Sequence, residues 1–168
     1  MPTAAIEEGI NNQIQVELAS AYTYLSMAAF FDQLALPGCT KWMQMQAREE
    51  MAHAMRLYQF LLDRGGKILL QPIEAPLHDF GTPRGAFETA LEHERKVTAS
   101  IHKLYALAVD EKDFATQSHL HWFIDEQVEE EKNAAEVVDA FARAGEDKSA
   151  LLLIDHTLGQ RGPEDEEA

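Results

Sequence analysis

Four long stretches of this chain repeat apolar residues at every third or fourth position, and in each the row is broken near its middle by a glutamate. The first row is Ile6, Ile10, Gln13, Glu17, Ala21, Tyr24, Ala28 and Phe31; the second is Met43, Ala47, Glu50, Ala54, Leu57 and Leu61. The third is Phe87, Ala90, Glu94, Val97, Ile101, Leu104 and Ala108, and the fourth is Thr116, Leu120, Phe123, Gln127, Glu130, Ala134, Val137 and Phe141. That spacing makes one stripe on an α-helix, the stripe that turns toward a core. A lone buried carboxylate is costly, and four brought together repel one another. No lysine or arginine lies on these stripes, so metal cations are the natural candidates for the compensating charge. Four carboxylates balance two divalent ions.

The second run supplies the remaining ligand chemistry. In Arg48-Glu49-Glu50-Met51-Ala52-His53 the carboxylate of Glu50 and the imidazole of His53 stand one turn apart on one helix face. One imidazole among oxygen ligands suits iron, manganese or zinc. A single Glu-x-x-His is a weak signal; it becomes informative because other helices bring matching carboxylates to the same depth.

The breaks between the runs set the architecture. The first helix is expected from about Thr3 to Asp32 with Thr3 as N-cap, followed by a turn at Leu36-Pro37-Gly38. The second is expected from about Cys39 to Asp63, closed by Arg64-Gly65-Gly66. Lys67 to Thr82 holds several prolines and glycines and no helical period, and is long for a bundle connection. Such a length carries the chain from one end of a bundle to the other. Thr82 and Pro83 open a third helix to about Asp110, Glu111-Lys112-Asp113 reverses the chain, and a fourth runs from Phe114 to Ala144, closed by Gly145. A short fifth helix, Lys148 to Leu158, is too apolar to stand alone and must pack on the bundle or on another subunit. The fold class expected is all-α, a four-helix bundle with one long crossover. Residues 1–160 form one domain, and 161–168 an acidic, disordered tail.

A formal charge of −15 argues against nucleic acid or an anionic membrane as partner and favours cations. Every apolar run is far below membrane-spanning length. The single Cys39 fits a reducing compartment, and no basic segment with a following apolar run opens the chain. A cytoplasmic protein is expected.

On these residues the chain resembles the ferritins, and in particular the bacterial non-haem ferritins: Glu17, Tyr24, Glu49-Glu50-x-x-His53, Glu94 and Asp125-Glu126-Gln127-x-Glu129-Glu130 match their motifs. The resemblance implies a ferritin-like bundle whose di-iron centre oxidises Fe(II) with dioxygen or peroxide. It implies Glu17, Glu50 and His53 on the first iron, with Glu50 bridging, and Glu94 and Glu130 on the second with Gln127 beside it. It also implies a third iron position at Glu49, Glu126, Glu129 and Glu130. Tyr24 and Trp122 match aromatic residues flanking the centre, where a tyrosine can be oxidised by one electron. A shell of twenty-four subunits enclosing a ferric mineral is the assembly implied.

The fourth run departs from the paired Glu-x-x-His pattern of many ferritin-like bundles: Gln127-Val128-Glu129-Glu130 has no histidine, so the second iron has oxygen ligands alone. A lopsided site suits iron that is passed on. Met51 falls where bacterioferritins carry a haem-ligating methionine, but packing at a subunit interface is the expectation for it, and haem is not expected. Two rivals stand beside ferroxidase: a di-iron peroxidase or oxygenase that retains its metal, and a cage subunit with a vestigial site. His78, His93, His102 and His156 read as surface or loop residues, and His119 and His121 as pointing to different helix faces.

Overall fold

The computed structural model describes residues 1–162 and consists of five helices: α1 (Ala4–Gln33), α2 (Pro37–Asp63), α3 (Pro83–Asp110), α4 (Phe114–Ala144) and α5 (Lys148–Gly159). The caps are local chemistry. The Thr3, Thr82, Asp113 and Asp147 side chains each accept from a backbone N–H in the first turn of the helix that follows. At the end of α2, Gly65 takes the left-handed conformation and the Gly66 N–H returns to the Leu61 carbonyl. One boundary differs from expectation. Pro37 and Gly38 open α2 instead of lying in a turn, because proline at a first helical position loses only an N–H that has no partner there.

The directions of the helices follow from two apolar clusters. One gathers the end of α1, the start of α2, the start of α3 and the end of α4, including Phe31, Met43, Phe87 and Phe141. The other gathers the start of α1, the end of α2, the end of α3 and the start of α4, including Ile10, Leu57, Ile101 and Phe123. Thus α2 and α3 run parallel to each other and antiparallel to α1 and α4. The long crossover after α2 makes this possible. It lies along α1, where the Asn11 amide donates to the Lys67 carbonyl at 2.9 Å and its oxygen accepts from Leu69 N–H at 2.7 Å. Further along, Gln15 donates to the Pro72 carbonyl and Phe80 packs edge-on against Phe30.

The fifth helix packs on α2 and α4, with Leu151, Ile154 and Leu158 against the first cluster. Gly38 allows the contact: a Cβ there would lie 1.7 Å from the Asp155 carbonyl oxygen. The Asp155 carboxylate in turn accepts from Cys39 N–H at 2.8 Å. The expected tail lies outside the described residues from 163 onward, but its first residue, Arg161, is folded against α2. No helix is long and apolar enough to cross a membrane among the described residues.

Candidate metal centre

Between the two apolar clusters lies a polar layer. Glu17 of α1, Glu50 and His53 of α2, Glu94 of α3 and Gln127 and Glu130 of α4 are all buried there. The four glutamates and Gln127 occupy the stripe positions where their helices turn to the bundle axis, and His53 lies at the stripe's edge one turn from Glu50. His53 approaches acids from three of the helices. Its Nδ1 is 3.6 Å from Glu50 and 4.0 Å from Glu17, while its Nε2 is 3.8 Å from Glu126. Two sets of ligand atoms are close enough to share an ion: Glu17, Glu50 and His53, and His53, Glu126 and Glu130.

The partners of these acids divide them. Glu17 Oε1 accepts from Gln13 at 2.8 Å, and Gln13 is itself held by the Ser100 hydroxyl. Glu94 accepts from the Tyr24 hydroxyl and, at 3.2 Å, from the Gln127 amide. Glu130 accepts from Gln46 at 2.7 Å. In contrast, Glu17 Oε2 and both oxygens of Glu50 are buried with no donor. Orphaned acceptors of this kind are rare inside proteins, and two of these three, Glu17 Oε2 and Glu50 Oε2, lie 4.0 and 3.6 Å from His53 Nδ1. They are the atoms a bound cation would satisfy.

Electrostatics point the same way. Burial pushes the Glu17 carboxyl up to about 7. Burial, reinforced by the charges of Glu94, Glu17 and Glu130, pushes Glu50 well above the usual carboxylate range. Glu130 is raised by burial and by Glu94 and Glu49, and Glu94 by burial against the pull of its Tyr24 and Gln127 donors. Desolvation lowers His53 to about 4, so its imidazole is neutral at physiological pH and has a lone pair to offer a metal. Raised carboxyls of this kind release protons when a cation takes their place.

Of the residues of the expected third position, the structure brings two into one candidate metal group. Glu126 and Glu130 lie by His53, Glu129 is exposed, and Glu49 is bound by the Arg161 guanidinium through both carboxylate oxygens at 2.9 Å. Trp122 packs edge-on to His53 at 5.3 Å with Arg56 over its other side. Met51 is half exposed.

Several side chains that orient the ligands do not stand out in the sequence. Gln46 is one turn before Glu50 in the same helix, a position that periodicity could have revealed. Arg161 follows the last helix, where no pattern exists to place it. His93 is not the surface residue expected: it is half-buried, bonded to Ser20 at 2.7 Å and edge-on to Tyr24. His119 and His121 do diverge, stacking on Phe60 and Tyr105 respectively.

Comparison with known proteins agrees with this geometry. The ferritin-like domain family matches residues 7–144. A bacterial non-heme ferritin of Bacteroides fragilis is 39% identical over 161 residues, covering 96% of this chain and all of that protein. One from Staphylococcus aureus is 36% identical over 154 residues, covering 92% of this chain and 93% of that one. The solved structure of an open pore ferritin from Archaeoglobus fulgidus superposes with a TM-score of 0.95 at 44% identity, covering 96% of this chain and all of that one. By its bundle, by the carboxylate and histidine groups inside it and by these relatives, the chain belongs to the ferritin family.

Proposed function

We propose that this protein is an iron-storage ferroxidase, binding Fe(II) between its four long helices, oxidising it with dioxygen and storing it as ferric oxyhydroxide inside a shell of twenty-four subunits in the cytoplasm. The observation that carries the reading is the buried layer itself: four carboxylates from four helices, three of whose oxygens have no donor, around a neutral imidazole.

Iron is the substrate here. Glu17, Glu50 and His53 Nδ1 converge on one position, and Glu50, Glu94 and Glu130 offer the second, so that Glu50 is shared. Binding two Fe(II) displaces the protons held on these acids. Each iron gives up one electron, and one dioxygen takes the pair with two protons and leaves as hydrogen peroxide. The residues tune this in distinct ways. Gln13, Tyr24, Gln46 and Gln127 hold four carboxylate oxygens in place, which fixes the ligand positions before the metal arrives. The second position, with oxygen ligands and an amide alone, favours release of Fe(III) toward the shell interior over retention.

The test is an aerobic Fe(II) titration of the metal-free protein, with Fe(III) absorbance and particle size followed together. Rapid oxidation of about two irons per subunit, then hundreds retained per shell, is expected for four carboxylates balancing two divalent ions. Saturation at about two in a small oligomer would make the protein a di-iron enzyme instead. Glu50→Ala and His53→Ala are expected to lose the rapid phase and still assemble; oxidation at the parent rate in both would remove the site from these residues.

A further inference from the structure

The ion pair at the end of α5 has no role in the scheme above. Arg161 reaches back across α2 and engages three of its side chains. Its Nη2 donates to both oxygens of Glu49 at 2.9 Å, its Nη1 donates to Gln46 Oε1, and its guanidinium lies over Trp42 at 5.2 Å. Gln46 passes the contact inward, since its amide donates to Glu130 at 2.7 Å. A fixed positive charge thus stands beside the metal layer, on one acid that borders it and one hydrogen bond from another. Its field lowers the proton affinity of Glu130, against the burial that raises it.

We infer that Arg161 is a built-in competitor for a metal ion at Glu49, holding that carboxylate in an ion pair so that a third cation binds only when the guanidinium moves away. The inference rests on the proposed iron centre and concerns how iron leaves it. Charge-assisted hydrogen bonds to a carboxylate are roughly twice as strong as neutral ones, and a divalent cation needs the same oxygens that Nη2 holds. The pair is partly buried, with side chains 15% and 18% exposed, which weakens its screening by salt. A groove of about 560 Å³ between α4 and α5 is lined by Arg161, Trp42, Glu129 and Glu136, so two α4 carboxylates border the space open to a displaced guanidinium. In that alternative the freed Glu49 faces the layer, and the α5 terminus reports whether metal is there.

A merely structural clasp would behave differently. Removing a clasp lowers stability and leaves metal binding equal or weaker, whereas removing a competitor makes metal binding stronger. Zinc titration of the metal-free protein by calorimetry separates the two, with zinc as a cation that does not change oxidation state. The parent is expected to bind about two ions per subunit tightly, by the charge balance of the layer. Arg161→Gln, which retains a donor for Gln46 and loses the charge, is expected to bind a further ion about tenfold or more tighter than the parent does. Arg161→Lys should fall between, and Glu49→Ala combined with Arg161→Gln should erase the gain. Unchanged or weaker binding of the further ion in Arg161→Gln overturns the inference. Loss of the first two ions in the parent, or their persistence in Glu50→Ala, would instead overturn the proposed centre. Should Arg161→Gln destabilise the fold, Arg161→Lys carries the test: a further ion bound no tighter than in the parent overturns the inference.

Discussion

Replacing Glu17 by glutamine is expected to stabilise the metal-free protein while impairing its metal binding. Glu17 is buried, and the folded environment raises its carboxyl from 4.5 to about 7. The charged form is therefore penalised in the folded state and not in the unfolded one. Below pH 4.5 the group is protonated in both states and the penalty is absent; it grows as the pH rises toward 7 and is complete above. At 1.36 kcal/mol per pH unit, the gap amounts to ~3 kcal/mol at pH 7 and above. Glutamine removes the ionisation and keeps the geometry. Its oxygen still accepts from Gln13, and its amide takes the place of Oε2, donating toward Glu50. For a chain of this size ~3 kcal/mol is roughly 6–12 °C in Tm. Scanning calorimetry of both proteins with chelator, at pH 5 and pH 7.5, should show the variant well above the parent at pH 7.5 and close to it at pH 5. Added zinc should reverse the order at pH 7.5, since the parent alone gains the full binding free energy. Identical Tm–pH curves, or a variant less stable at pH 7.5, would refute the reasoning, because Glu17 would then not be a carboxylate held against its own solvation.

Three further outcomes follow from the geometry. Zinc affinity should rise with pH between about 5 and 8, with protons released from Glu17, Glu50 and Glu130 and none from His53, measured by calorimetry in buffers of different ionisation enthalpy; a pH-independent affinity would contradict the raised acids. Gly38→Ala should loosen α5, because the new Cβ meets the Asp155 backbone, costing roughly 1–3 kcal/mol and exposing α5 to limited proteolysis; an unchanged cleavage pattern would show that the contact relaxes freely. Asn11→Ala should free the crossover, with fast hydrogen exchange at the Leu69 amide and a loss of about 1–3 kcal/mol for the unpaired groups left behind.

The layer of acids was legible because it violates a pattern. Glu17, Glu50, Glu94 and Glu130 each interrupt an apolar period, and an interruption on four helices at one depth is a three-dimensional statement made in one dimension. Helix ends were legible where capping chemistry is local, as at Thr3, Thr82 and Gly145. They were misread at Pro37, where the same residue type that breaks a helix also begins one. Contacts between segments distant in sequence left no such trace. Asn11 reads as an ordinary polar residue until the crossover arrives on top of it, and Arg161 reads as tail until α5 turns it back onto Glu49. His93 was placed at the surface because a histidine beside a stripe residue has no period of its own; only the approach of α1 encloses it.

The two apolar clusters on either side of the polar layer have a consequence for how such a chain can change over time. The bundle resembles a beam clamped at both ends, with the chemistry in the unclamped span. Phe31, Phe87 and Phe141 at one end and Ile10, Leu57 and Ile101 at the other hold the helices in register whatever stands between them. Exchange of a single ligand in the span alters which ion is preferred and how long it stays, and leaves the clamps untouched. Fold and reactivity are then inherited on separate residues, so selection can revise one without endangering the other.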